Sequence, residues 1–179
     1  MIKYLGSKLK LLDNIYDATL DGFDGEIESV IDLFSGTSRV GHRFKSSGHR
    51  VISNDLSEYG KVLAEALVVA DLETHGPEAQ KWIDYYNSNN NTLDGYFTNT
   101  FCVESRFFKP KNGKRVDWIR EDIEKQNFEP ILKSVLLTSL MLAADKVDST
   151  CGVQMAYVKK WAKRADKDLV MKLPKLLPA

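Results

Sequence analysis

The segment Asp32-Leu33-Phe34-Ser35-Gly36-Thr37-Ser38-Arg39-Val40-Gly41 closes an apolar run with a glycine-containing turn and feeds a helical stretch. Such a turn offers unpaired backbone N–H groups at a helix start, and a residue without Cβ lets a ligand approach the chain closely. Asp55 stands nineteen positions after Gly36, at the end of the next apolar run. An acid placed there can accept both hydroxyls of a ribose, so the two features together describe an adenosine pocket. A Gly-x-x-x-x-Gly turn by itself is often only a turn; the strand-end acid is what makes it a ligand site. The dinucleotide fingerprint Gly-x-Gly-x-x-Gly needs its middle glycine against a pyrophosphate, and Ser38 occupies that place here. A cofactor without a pyrophosphate tolerates the side chain, which favours S-adenosylmethionine over NAD.

Two basic groups are the other candidates. Arg106, Lys109, Lys111, Lys114 and Arg115 surround a Pro-Lys-Asn-Gly-Lys turn, and Lys159, Lys160, Lys163 and Arg164 surround Trp161. Basic side chains can bind phosphates with release of counterions, although runs this short are commonly solvated surface. His42, His49 and His75 have no partner at metal-ligand or catalytic spacing and read as structural. Trp82, Tyr85 and Tyr86 at helical spacing read as a packing seam. Asp145 and Asp148 read as a wet helix end.

These residues need elements to hold them. Leu9, Leu12, Ile15 and Tyr16 predict a helix from about Ser7 to Leu20, with Ser7 as N-cap. Ser29 to Phe34, with Val30, Ile31, Leu33 and Phe34 as its apolar run, predicts a short buried strand, and Arg50 to Asp55 predicts a second strand ending on its acid. A helix follows each strand, through Phe44 and from Glu58 to Ala70. This order predicts a parallel βαβ unit with a right-handed crossover. Beyond a polar loop at Asn87-Ser88-Asn89-Asn90-Asn91 the chain reads as helical, clearest over Lys114 to Gln126 and Glu129 to Val147. The expected organisation is a cofactor subdomain over 1–88, a helical insertion over 89–168, and over 169–179 the start of a further strand region at Leu169-Val170-Met171.

At this level the sequence resembles the D12-class, Dam-like adenine-specific DNA methyltransferases. The resemblance is carried by Lys3-Tyr4-Leu5-Gly6-Ser7-Lys8, by Asp32 to Gly41, and by Asn54-Asp55. Glu104-Ser105-Arg106-Phe107-Phe108, Asn112 to Asp117, Gly152-Val153 and Ala156 to Trp161 extend it over nearly the whole chain. It implies a Rossmann-like class I methyltransferase α/β fold with a helical DNA-recognition insertion, S-adenosylmethionine as cofactor, and double-stranded DNA as partner. It places Lys8 near the methionine carboxylate with Tyr4 and Leu5 lining the pocket. Phe34, Ser35 and Gly36 fall around the methionine and adenosine parts, Asp55 on the ribose, and Asp32 either on the amino group through water or on the strand end alone. It also implies that Arg106, Lys109, Lys111, Lys114, Arg115, Lys159, Lys160 and Arg164 face DNA.

Related enzymes transfer the methyl group with an Asp-Pro-Pro-Tyr motif whose ring stacks on a flipped adenine. The prolines here are Pro77, Pro110, Pro130, Pro174 and Pro178, and no two adjoin. No catalytic residue is therefore assigned. The expectation is a chain inactive alone, completed by a C-terminal half or a second chain, whose absence leaves a strand edge and an apolar face open and the isolated protein prone to self-association.

Composition agrees with a folded globular chain: 179 residues, 43% hydrophobic and 28% charged. With 25 basic and 25 acidic residues the net charge is zero, so any DNA contact must come from local clustering. Cys102 and Cys151 lack zinc or disulfide spacing and read as reduced thiols of a cytoplasmic protein that needs no metal. No apolar stretch approaches the roughly 18 residues of a membrane span.

Overall fold

β1 (Ser29–Asp32) and β2 (Arg50–Ser53) pair in parallel, with Val30 opposite Val51, Ile31 opposite Ile52 and Asp32 opposite Ser53. The computed structural model describes residues 8–150 and 160–178. A 3₁₀ turn, Leu9–Leu11, leads into α1 (Leu12–Asp21); the N-cap expected at Ser7 lies outside the described residues. α2 (Arg39–Lys45) connects the strands, as the βαβ pattern predicts. α3 (Glu58–Ala64) follows β2, capped by the Ser57 hydroxyl, which accepts from the Gly60 N–H at 3.0 Å, and it runs on as a wider π turn to Val69.

The strands are less covered than their apolar runs suggest. Side chains alternate across a strand, and Val30, Asp32, Val51 and Ser53 are the partly buried set while Ile31 stays 59% and Ile52 46% exposed. Among the described residues α2 is the main helix on this sheet, so only one face is packed. The expectation of a buried strand fails for that reason.

The core lies in the helical part. α4 (Leu72–Ser88), α6 (Pro110–Lys125) and α7 (Pro130–Val147) bury Ala79, Ile83 and Tyr86, then Val116, Ile119 and Ile123, then Leu132, Val135, Leu136, Leu140, Ala143 and Val147. α6 starts earlier than its periodicity implies because Pro110 occupies the first turn, where its missing N–H costs nothing. α7 opens on the Glu129 carboxylate, which accepts from Ile131 and Leu132 N–H at 3.1 and 3.0 Å. Trp82, Tyr85 and Tyr86 form the expected seam, Trp82 meeting Phe128 at 4.8 Å and Tyr86 meeting Trp118 at 5.8 Å between ring centres. The Tyr86 hydroxyl donates to Asp122, and burial pushes its pKa up. Ala66 and Ala70 on one side, and Leu169, Met171 and Leu176 on the other, belong to the same buried cluster.

The segment read as a strand start at Leu169-Val170-Met171 forms no ladder. It is extended chain held by side-chain amides instead: Asn112 accepts from Leu169 N–H at 3.1 Å and donates to Lys167 C=O at 2.9 Å, while Asn87 accepts from Met171 N–H at 2.9 Å and donates to Met171 C=O at 3.0 Å. Each amide supplies the donor and acceptor that a neighbouring strand would have supplied. Among the described residues no helix is long and apolar enough to cross a membrane.

Candidate functional site

Because β1 and β2 run in register, their C-terminal ends bring Phe34, Ser35 and Gly36 beside Asp55. Pairing continues past the strands, with Asn54 N–H donating to Asp32 C=O at 2.8 Å and Ser35 N–H donating to Asn54 C=O at 3.0 Å. Gly36 takes φ +51°, a left-handed turn that costs an L side chain strain, and its N–H donates to Asp55 Oδ2 at 2.8 Å. Asp55 Oδ1 accepts from the Ser57 N–H at 3.0 Å and from its hydroxyl at 2.9 Å. The Ser57 and Gly36 amides hold the Asp55 carboxyl below the usual carboxylate range.

A cleft of about 380 Å³ opens at these strand ends, lined among others by Lys8, Asp32, Phe34, Ser35, Gly36 and Asp55. That volume is within the ~300–1,000 Å³ of small-molecule sites. The structure therefore gathers into one cavity every cofactor residue expected from sequence that it describes. Tyr4 and Leu5 lie outside the described residues. Asp32 behaves oppositely to Asp55: burial pushes its carboxyl up, the Phe34 and Gly41 amides only partly offset this, and the Asp55 charge adds to it. Ser35 is buried, and its hydroxyl has no hydrogen-bond partner, as in a site built to meet a polar ligand or water. Phe34 is 91% exposed at the cleft edge.

One cleft residue and one residue behind its acid escaped the sequence reading. Arg39 starts α2 and also lines the cavity, so cations from Lys8 and Arg39 face anions from Asp32 and Asp55. The available signal was a basic residue opening the helix after the glycine turn. Gly60 is the second, since a Cβ there would lie 2.6 Å from Asp55 Cγ. A glycine inside a helical pattern five residues beyond the acid was its signal.

The basic residues divide. Arg106, at φ +53°, puts its guanidinium over the Trp161 ring at 5.5 Å, and Lys109 approaches the same ring at 5.6 Å while bonding Asp166. Lys111 pairs with Asp168 at 2.7 Å, Lys114 with Asp94 at 2.8 Å and Arg164 with Asp148 at 2.6 Å. Arg115 donates to Tyr86 and Asn91 carbonyls at 2.5 and 2.7 Å, and burial pulls its pKa down. Lys160 is exposed, and Lys159 lies outside the described residues. The three histidines have structural contacts: His42 reaches Lys175 C=O, His49 packs between Tyr16 and Phe44, and His75 sits at the Asp71 cap. No group of three or more His, Cys, Asp or Glu side chains that could hold a metal occurs among the described residues.

The family model of the D12 class N6 adenine-specific DNA methyltransferases matches residues 4–177. The chain belongs to that family. It is 32% identical over 94% of its length to type II methyltransferase M.CviAII of Paramecium bursaria Chlorella virus 1, and 31% identical over 94% to type II methyltransferase M.NlaIII of Neisseria lactamica. Modification methylase LlaI of Lactococcus lactis subsp. lactis is 31% identical over 93% of the chain. The match covers 53%, 52% and 28% of these three proteins, so the D12 chain spans about half the length, or less, of the curated relatives it matches. No solved structure matches it.

Proposed function

We propose that this D12 chain is the cofactor-binding and DNA-facing part of an S-adenosylmethionine-dependent DNA adenine-N6 methyltransferase, of the kind found with restriction–modification systems. The observation that carries the reading is the cleft holding Lys8, Asp32, Phe34, Ser35, Gly36 and Asp55 together. Its donor set fits the cofactor: cations at Lys8 and Arg39 suit a carboxylate, the Asp32 carboxylate suits an ammonium, and Asp55 suits a ribose diol. When bound, S-adenosylmethionine supplies an electrophilic methyl group on a sulfonium.

The residues present bind and orient. Asp55 already accepts three donors, and a carboxylate offers about four lone-pair sites. A diol gripped by both hydroxyls therefore replaces the Ser57 hydroxyl or the Gly36 amide, coupling ribose binding to the glycine turn. Asp32 and Asp55 repel each other, and a cationic ligand group between them relieves that repulsion.

The chemistry at the adenine amine needs groups this chain does not contain, because no two prolines adjoin. A C-terminal half or a second chain bearing Asp-Pro-Pro-Tyr supplies them in this reading. Ile31, Leu33 and Ile52, exposed at 59%, 58% and 46%, are the surface such a partner covers, completing a Rossmann-like sheet. The helical part over 89–168 is the DNA-recognition insertion. A second reading, a DNA-binding or regulatory member that keeps the pocket without methylating, is favoured by the same lack of a Pro-Pro pair.

Calorimetric titration with S-adenosylmethionine tests the cofactor assignment, with loss of binding in Asp55→Ala expected. Labelled methyl transfer to duplex DNA, by the chain alone and with a chain bearing the motif, separates the two readings. Activity gained only on mixing supports the enzyme, and no activity in either case supports the regulatory member.

A further inference from the structure

The basic residues of the helical part differ in whether their charge is already answered within the protein. Lys111, Lys114 and Arg164 each pair with a carboxylate, Lys109 bonds Asp166, and Arg115 is half-buried against two carbonyls and the Trp118 ring. Arg106, Lys160 and Lys163 have neither a carboxylate nor a carbonyl partner among the described residues. All three are exposed; Arg106 lies over the Trp161 ring at 5.5 Å, and Lys160 and Lys163 stand one and two residues from Trp161 along the chain.

The placement is built rather than incidental. Arg106 holds φ +53°, a strained conformation for a residue with a Cβ, which persists only where the surroundings over-determine it. Here Phe107 and Phe108 N–H both donate to Phe101 C=O, at 2.8 and 3.1 Å, and Phe107 C=O accepts from Ser149 N–H at 2.7 Å. The segment bearing Trp161 is tied to the same place. Ala162 N–H donates to the Ser149 hydroxyl at 2.9 Å, and Arg164 clamps Asp148, which is 5% exposed, and the Thr150 carbonyl, each at 2.6 Å. Ser149 thus joins both arms, and the paired Arg164 stiffens the frame on which the unpaired cations stand.

We propose that Arg106, Lys160 and Lys163, arrayed at Trp161, form the surface that contacts the phosphates of duplex DNA. Lys109, on the Trp161 ring and Asp166, and Arg164, on Asp148 and Thr150, are positioning residues that hold this surface, while Lys111, Lys114 and Arg115 are committed to partners elsewhere in the fold, and none of the five touches phosphate. The inference rests on the DNA reading above and narrows it to three side chains. An unpaired cation gives up only water and counterions on meeting a phosphate, whereas a paired one must first leave its carboxylate.

The salt dependence of duplex binding tests this with the whole chain, since each phosphate contact contributes about 0.9 to the slope of log K against log salt. R106Q, K160Q and K163Q are each expected to lower that slope by about this amount, and the triple variant by roughly three times as much. K111Q and K114Q, at exposed ion pairs, are expected to keep the wild-type slope, and melting curves check that every variant is folded. Slope losses confined to K111Q and K114Q, or equal in both groups, overturn the division while leaving DNA binding intact. A wild-type chain that holds no duplex even at low salt overturns the DNA reading itself, and this proposal with it.

Discussion

Gly60 lies directly against the Asp55 carboxyl, where an added Cβ would come within 2.6 Å of Asp55 Cγ and 2.8 Å of Oδ1. Bulk at position 60 must therefore push the acid off the Gly36 and Ser57 amides. Alanine is the better helix former, by about 1 kcal/mol over glycine, so Gly60→Ala separates site geometry from fold. The expected result is S-adenosylmethionine affinity reduced about tenfold or more, the loss of a hydrogen bond to a charged group, with no matching fall in melting temperature. Calorimetry beside thermal denaturation checks it.

Asp55→Asn keeps the shape but puts an N–H₂ where both oxygens accept. One of the bonds from Gly36 N–H, Ser57 N–H or the Ser57 hydroxyl is lost. Because those amides depress the folded pKa, the acid's contribution to stability is present above the unfolded value of 3.8 and disappears as pH falls through the lower folded value. The wild-type advantage over Asp55→Asn is thus expected at neutral pH and is expected to vanish under acid, measured by urea denaturation across a pH series.

Asp32 has the reverse sign. Burial raises its folded pKa above the model-peptide value of 3.8, so wild-type stability falls as pH rises from there through the folded pKa, and the full penalty applies at neutrality. Asp32→Asn is expected to melt higher than wild type at pH 7, with the gain shrinking towards acid. The same variant is expected to bind S-adenosylmethionine more weakly, because the ammonium loses its counter-charge. A variant that is both more stable and a weaker binder marks a residue kept for the ligand.

Asn112 is 2% exposed and holds both Leu169 N–H and Lys167 C=O. Asn112→Ala leaves buried backbone groups unpaired, at about 1–3 kcal/mol each. A loss of roughly 2–4 kcal/mol in urea denaturation is expected on that basis. Asn112→Asp retains only the acceptor, leaves the Ala165 and Lys167 carbonyls without their donor and buries a carboxylate against them, so at neutral pH it is expected to lose at least as much.

The uncovered sheet face has a solution consequence. Ile31 and Leu33, at 59% and 58% exposure, stand beside Phe34 at 91% and Ile52 at 46%, a patch of the sort that drives association. The chain alone is expected to self-associate in light scattering, and Ile31→Lys with Ile52→Glu is expected to reduce this without lowering the melting temperature. A monodisperse wild-type monomer would contradict the expectation.

That Gly36 and Asp55 would share one cleft was legible in the sequence because both sit at strand ends. Gly36 and Asp55 each follow an apolar run, and parallel pairing places such ends side by side whatever the rest of the chain does. The crossover helix, α6 and α7 were legible for the same kind of reason, since apolar spacing is a property of short windows, although the start of α6 at Pro110 was missed. What no window contains is the distance between them. Gly60 matters only because α3 returns over Asp55. Leu169 to Met171 reads as a strand, and is not one, because Asn87 and Asn112 from other helices take its backbone groups. The buried character expected of β1 depends on a second layer that periodicity cannot supply. Which of Arg106, Lys111, Arg115 and Arg164 carries an unanswered charge is likewise invisible in a run of basic residues, because the groups that answer it, Tyr86 and Asn91 for Arg115, Asp148 for Arg164 and Asp168 for Lys111, come from other parts of the chain. Residue type and spacing decided which groups meet at the strand ends, because parallel pairing brings those ends together; only the packing of helices decided which of the cations were left to meet anything else.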